Sequence, residues 1–231
     1  MENEIAEKLE QLKEKIQQAA KASGQKDVTL IAVSKLQSVE KIWQAAAAGA
    51  VNFGENYVQE LCGKIPQVPY DVHWHLIGPL QKNKVKYIVG RDIMVQSVDR
   101  LSIAQELNRQ SINKGCVTQV LLQVNTCGEE TKSGVSPQDL RALFDEAAAL
   151  EGLQVRGLMT IGPNTQDQDA IARCFEETRR LFEQLQAAAP HPDQFQVLSM
   201  GMSHDYELAI RSGANMVRIG SLLFGARNVK T

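Results

Sequence analysis

The sequence has no long hydrophobic run, no excess charge of one sign and few cysteines, and each shortage removes a class of protein. Its longest small-apolar stretch, AAAAGAV at 45–51, falls far short of the roughly 20 residues that a membrane-crossing helix needs. The chain opens on the acidic MENEIAEKLE, where a secretory leader would be basic and then apolar. A soluble, cytoplasmic protein without membrane contact is therefore expected. Lys and Arg number 25 against 27 Asp and Glu, so no clustered positive excess is at hand to grip nucleic-acid phosphates. Cys62, Cys116, Cys127 and Cys174 are widely spaced, with no Cys-x-x-Cys pair. Four reduced, inert thiols are expected rather than a disulfide frame or a zinc site.

What is present is ordinary for a folded domain, with 43% hydrophobic and 23% charged residues over 231 positions, and disorder is excluded as the main state. Ile5, Leu9, Leu12 and Ile16 recur at helical spacing, which predicts an amphipathic helix over about 2–23 that ends near Gly24. After it, five helical stretches each end at a glycine that precedes a β-branched run: Gly49, Gly90, Gly115, Gly152 and Gly213. Glycine supplies the left-handed backbone that closes a helix. Ser136-Pro137 with Asp139, and Ser97 or Asp99 ahead of Leu101, mark helix starts. Eight strands are expected, centred on 28–34, 51–53, 72–77, 92–97, 117–124, 154–161, 195–199 and 214–219. Several, such as LIAVS and VLLQV, are apolar on both faces, as parallel strands covered by helices are. Eight strand-helix units in one chain of this length predict a (β/α)8 TIM barrel with an extra N-terminal helix. The barrel takes up residues 1–231 as a single domain, without a second one. A doubly wound open sheet could use the same units, but no Gly-x-Gly-x-x-Gly follows the first strand.

Such a barrel works at the carboxyl ends of its strands. The residues that fall there are Lys35, Asn56, His75, Gly78, Asn125, Ser199, Arg218, Gly220 and Ser221. Lys35 shares a strand face with Thr29, Ile31 and Val33; burial would leave it a neutral amine able to form a Schiff base, while a strand-end lysine that snorkels to water satisfies the same spacing. LSMGMS (198–203) and RIGSLLFG (218–225) set small residues ahead of helices. Ser199, Gly201, Gly220 and Ser221 fit a phosphate cradle there, or ordinary turns and caps. A Schiff-base lysine facing a phosphate cradle suits a phosphorylated aldehyde such as pyridoxal 5'-phosphate, with Arg218 donating to its ring nitrogen. The His73-x-His75 pair invites zinc, but only His191 and His204 remain elsewhere. His75 fits better as a pocket residue, with His73 one layer below.

These residues resemble a known family, the pyridoxal-phosphate homeostasis proteins (the YggS/PROSC group). The likeness runs over nearly the whole chain through AVSK, FGENYVQE, WHLIGPLQKNKV, SVDR, LLQVNT, KSG, GLMTIG, LSMGMS and VRIGSLLFGAR. It implies an alanine-racemase-type barrel, a fold-type III binder of pyridoxal phosphate, with the cofactor held as a covalent aldimine on Lys35. It further implies phosphate contacts from Ser199, Gly201, Gly220 and Ser221, Arg218 near the ring nitrogen, and Asn56, His75 and Met159 in the pocket. Two positions depart from the family pattern: Gln37 stands where many members carry a second lysine, and His204 follows SMGMS where an acidic residue is common.

The function expected is therefore a carrier or regulator in vitamin B6 and amino-acid homeostasis. It would be a monomer that meets acceptor apoenzymes transiently, without robust catalysis and with no metal. The alternative is an amino-acid racemase or a phosphoaldehyde lyase that uses Lys35. Racemases resembling this barrel draw a second base, a tyrosine, from an additional domain, and a two-base mechanism needs one group on each face of the substrate carbon. A third reading is an interaction module for which the cofactor is a signal.

Overall fold

The computed structural model describes residues 2–129 and 132–225. The last two residues of VRIGSLLFGAR, and the end of the expected domain, lie outside the described residues. The chain runs α1 (Glu2–Ala22), β1 (Thr29–Val33), α2 (Val39–Ala47), β2 (Asn52–Glu55), α3 (Val58–Lys64), β3 (His73–Leu76) and β4 (Ile93–Val98). It continues through α4 (Leu101–Asn113), β5 (Thr118–Gln123), α5 (Leu140–Ala148), β6 (Leu153–Met159), α6 (Gln168–Ala188), β7 (Val197–Ser199), α7 (Tyr206–Arg211), β8 (Met216–Ile219) and α8 (Ser221–Phe224). The eight strands close into a barrel in sequence order, and each neighbouring pair is parallel. This is the (β/α)8 architecture read from the punctuation, with the N-terminal helix outside it.

Each level of that architecture has a visible local cause. The α1 stripe packs Leu12, Ile16 and Ala20 on Tyr206 and Ile210 of α7 and on Val217 and Ile219 of β8. Gly49, Gly90, Gly115 and Gly213 have φ of 90°, 79°, 62° and 100°, the left-handed closure expected of them. Gly152 differs: its N–H donates to Asn108 Oδ1 at 2.7 Å, and an added Cβ would sit 2.8 Å from the Asn108 carbonyl oxygen. It is there for close approach of the chain to α4, not for its φ. Between β3 and β4 the α-helix is replaced by a 3₁₀ segment, Lys82–Tyr87.

Helix starts also differ in detail from the expectation. Ser97 lies inside β4, where its Oγ donates to the Gly78 carbonyl at 2.7 Å, so it pins the loop after β3 rather than capping α4. Ser136 and Asp139 bond each other, with Ser136 Oγ donating to Asp139 Oδ2 at 2.7 Å, one turn ahead of α5. The clearest side-chain cap is Asp167, which accepts from the N–H groups of Asp169 and Ala170 at 3.0 and 3.2 Å. Asp167→Ala should lower unfolding stability by about 1 kcal/mol in urea titrations; an unchanged midpoint would show that the cap contributes nothing.

The cysteine expectation is corrected for one pair. Cys127 and Cys174 form a disulfide, with Cα atoms 5.3 Å apart across 47 residues of sequence, because the loop after β5 lies against α6. Cys62 and Cys116 are free and half-buried. Among the described residues no helix is long and apolar enough to cross a membrane.

Candidate functional site at the carboxyl ends of the strands

A cavity of about 260 Å³ opens where the carboxyl ends of β1, β2, β3 and β8 meet. Its walls include Lys35, Asn56, Arg218, Gly220 and Ser221, five residues that the sequence placed together. Met202, Ser203 and His204, from the turn after β7, and Gln37 complete that side. Gly220 can lie against β1 because it lacks a side chain: an added Cβ would sit 3.2 Å from the Val33 carbonyl oxygen. Ser221 opens α8 directly after it, and the first amides of a helix have no intrahelical acceptor.

His75, Met159, Ser199 and Gly201 are not among the residues lining this cavity. Met159 is fully buried and pairs in register with Ser199. Gly201 is a tight turn at φ 91° packed on α7, where an added Cβ would lie 2.5 Å from Ala209 Cβ; its carbonyl accepts the Arg218 N–H at 3.0 Å. Ser199 and His75 lie deeper, inside the barrel, in a polar chain.

With the Gln96 and Asn52 amides oriented as they are, that chain has one proton order. Arg218 NH1 donates to Ser199 Oγ at 2.7 Å, since a guanidinium has no acceptor. Ser199 therefore spends its single hydrogen on Gln96 Oε1, 2.8 Å away. Gln96 Nε2 in turn donates to His75 Nδ1 at 3.0 Å, which leaves the His75 proton on Nε2, donated to Asn52 Oδ1 at 3.1 Å. Burial holds His75 neutral, lowering its pKa from 6.5 to about 4, with His73 adding a smaller push. Side chains from β2, β3, β4, β7 and β8 meet here, so all five point into the barrel. Barrel interiors are ordinarily filled by branched apolar residues, and this layer instead fixes the arginine beneath the cavity.

Arg218 is the electrostatic centre. Its NH2 donates to the Thr160 carbonyl at 2.7 Å, so two N–H groups are committed and the side chain still borders the cavity. Burial lowers its pKa to about 10, opposed by Asp205, and it is cationic at neutral pH. Burial likewise raises the carboxyl of Asp205, against the Met202 N–H bond and the charge of Arg218. A buried cation with donors to spare favours an acceptor or anion in the space above it. Among the described residues no cluster of three or more His, Cys, Asp or Glu could hold a metal ion.

Sequence reasoning missed Gln96, Asn52, Thr160 and Ser203. The two serines of LSMGMS could have been sorted by position: Ser199 is the last strand residue, whereas Ser203 lies beyond the Gly201 turn, where the chain reaches the cavity.

Residues 8–228 match the family model for the alanine racemase N-terminal domain. A protein of Aquifex aeolicus named pyridoxal phosphate homeostasis protein is 40% identical over 228 residues, covering 96% of this chain and 97% of its own. The solved structure of PipY from Synechococcus elongatus with PLP bound is 36% identical, with a TM-score of 0.83 over 96% of this chain and 100% of that one. An alanine racemase of Clostridium difficile shares the fold, with a TM-score of 0.77 at 16% identity, and 57% of its length is covered.

Proposed function

The chain belongs to the alanine racemase N-terminal domain family and, within it, to the pyridoxal phosphate homeostasis proteins, and from that premise we propose that it binds pyridoxal 5'-phosphate through a Schiff base to Lys35 and acts as a cofactor carrier or regulator rather than a catalyst. It does so as a cytoplasmic monomer that meets acceptor apoenzymes transiently. The observation that carries the reading is one cavity bordered by Lys35, Arg218, Gly220 and Ser221.

The residues present fit the cofactor's chemistry. Gly220 lets the chain lie against Val33 of β1, where a Cβ would be crowded, and Ser221 and Ser203, which both border the cavity, supply donors for a phosphate. Arg218, aimed by Ser199 and Thr160, offers an N–H that it will not surrender, which keeps a pyridine nitrogen in the acceptor state. Asn56 and Gln37 border the same space. Ser199 and His75 act on the site through the chain that holds Arg218, and Gly201 accepts the Arg218 backbone N–H. When bound, pyridoxal phosphate supplies an electrophilic aldehyde and an electron-accepting ring. Lys35 is the residue whose amine would hold that aldehyde carbon, with the aldehyde oxygen and both amine hydrogens lost as water. No tyrosine is among the residues lining the cavity, which favours holding and release over two-base proton transfer.

The test is the near-ultraviolet and visible spectrum of the purified protein with added pyridoxal phosphate, followed by borohydride trapping and peptide mass spectrometry. Wild type should give a band trapped on Lys35, and Lys35→Ala should fold yet give none. A trapped lysine other than Lys35 would refute the assignment. Robust amino-acid racemisation lost in Lys35→Ala would overturn the non-catalytic part.

A further inference from the structure

The two peptide groups that flank Lys35 are gripped by one ion cluster outside the cavity, buried at Glu55 and Lys64 and partly exposed at Glu60. Lys64, the last residue of α3, is buried, and its Nζ donates to Glu55 Oε1 at 2.8 Å, Glu60 Oε1 at 2.6 Å and the Ser34 carbonyl at 2.8 Å. Glu55, which ends β2, is fully buried, and its Oε1 also accepts from Ser34 Oγ at 2.6 Å. Glu60 Oε1 accepts a second bond, from the Leu36 N–H at 2.6 Å. The cluster thus holds the carbonyl just before Lys35 through Lys64 and the amide just after it through Glu60.

The backbone between those two grips is not one that its residues prefer. Leu36 has φ 60° and is 62% exposed, so no packing of the leucine explains the conformation. A non-glycine residue in the left-handed region costs about 1 kcal/mol or more and persists where its surroundings impose it. Burying an ammonium between carboxylates is also a poor source of net stability when apolar side chains could fill the volume. Both costs fall on the same few residues, those around Lys35.

We propose that Glu60, braced by Lys64 and Glu55, is a positioning residue for Lys35: by accepting the Leu36 N–H it holds the left-handed turn that presents the Lys35 amine to the cavity. The inference rests on Lys35 being the Schiff-base lysine. Lys64 pulls Glu60 toward the turn, and Glu55 with Ser34 fixes Lys64, so the cluster sets the direction from which the lysine chain leaves β1. A misdirected amine would still meet its aldehyde, but less often in an attacking geometry.

Glu60→Ala and Glu60→Gln separate this role from charge and from general stability, because the glutamine oxygen can still accept the Leu36 N–H. Attachment of pyridoxal phosphate is followed by stopped-flow absorbance over a range of concentrations, which resolves the saturating rate from the half-saturating concentration. Glu60→Ala should lower the saturating rate about tenfold or more, with half-saturation changed by less than about twofold. Glu60→Gln should retain most of the rate. On the ligand-free protein, amide hydrogen exchange at Leu36 should be slow in wild type and in Glu60→Gln, and fast in Glu60→Ala. A folded Glu60→Ala with wild-type rate and a protected Leu36 amide overturns the proposal, as does a Glu60→Gln as slow as Glu60→Ala. If wild type attaches no pyridoxal phosphate, the reading of Lys35 fails, and the exchange comparison alone decides whether Glu60 holds the turn.

Discussion

Gly157→Ala should destabilise the barrel by more than about 4 kcal/mol, the range reserved for substitutions that break a named structural constraint. The pairing of β6 with β5 slips by one residue here: Val120 faces Val155, but Leu121 faces Gly157. Arg156 is therefore an extra residue in β6, a bulge, and Gly157 follows it at φ 154°. On its other edge the strand is drawn tightly to β7, where the Gln196 N–H donates to the Arg156 carbonyl at 2.9 Å. An added Cβ on Gly157 would overlap the Val197 carbonyl oxygen and lie 2.7 Å from its carbon. These are backbone atoms, so β6 and β7 would have to part. A bulge re-aims the residues beyond it, and beyond this one lie Met159 and then Thr160, whose carbonyl holds Arg218. Gly63→Ala, where an added Cβ meets nothing within 4 Å, is the control. Urea midpoints by circular dichroism decide: a Gly157→Ala shift no larger than that of Gly63→Ala would remove the argument.

The glycines also show how far the sequence could be read. Closing glycines and doubly apolar runs are local signals, and the strand expected over 92–97 is found at Ile93–Val98. The bulge at Arg156 has no such signal, because it arises from the register between strands. The same distinction governs the site. Lys35, Asn56, Arg218, Gly220 and Ser221 could be brought together from barrel topology, which sends every strand end to one mouth. Ser199 follows that rule in sequence, yet its hydroxyl is engaged inside the barrel by Gln96 and Arg218, partners 103 and 19 residues away. The Cys127–Cys174 pairing, 47 residues apart, and the Glu55–Lys64–Glu60 cluster are likewise products of packing. FGENYVQE was visible as a string, but that its two glutamates grip the turn at Leu36 required the position of Lys64.

The polar chain inside the barrel should make the protein acid-sensitive above the range where carboxylates ordinarily titrate. His75 has its pKa lowered to about 4 in the folded protein, against 6.5 when unfolded. As pH falls, the unfolded chain therefore takes up its proton first. The stability tied to neutral His75 is complete above about 6.5 and is lost as pH falls toward 4, and this gap corresponds to about 3 kcal/mol. Glu55 and Asp205 act with the opposite sign, because burial raises both carboxyls and the folded protein holds their protons more tightly. Glu106, lowered to about 2 by Arg109, loses its contribution only below 4.5. His75→Gln takes up no proton, so its difference from wild type isolates the imidazole. Urea midpoints at pH 7, 6 and 5 should fall more steeply in wild type than in His75→Gln, and parallel curves would show that His75 is not held neutral. The same proton should reach the cavity. A hydrogen on Nδ1 would face the Gln96 amide nitrogen, donor against donor, and Gln96 would have to turn its oxygen away from Ser199. The serine that anchors Arg218 then loses its acceptor, so affinity for pyridoxal phosphate should weaken in wild type as pH falls through about 4, where folded His75 gains its proton, and less in His75→Gln.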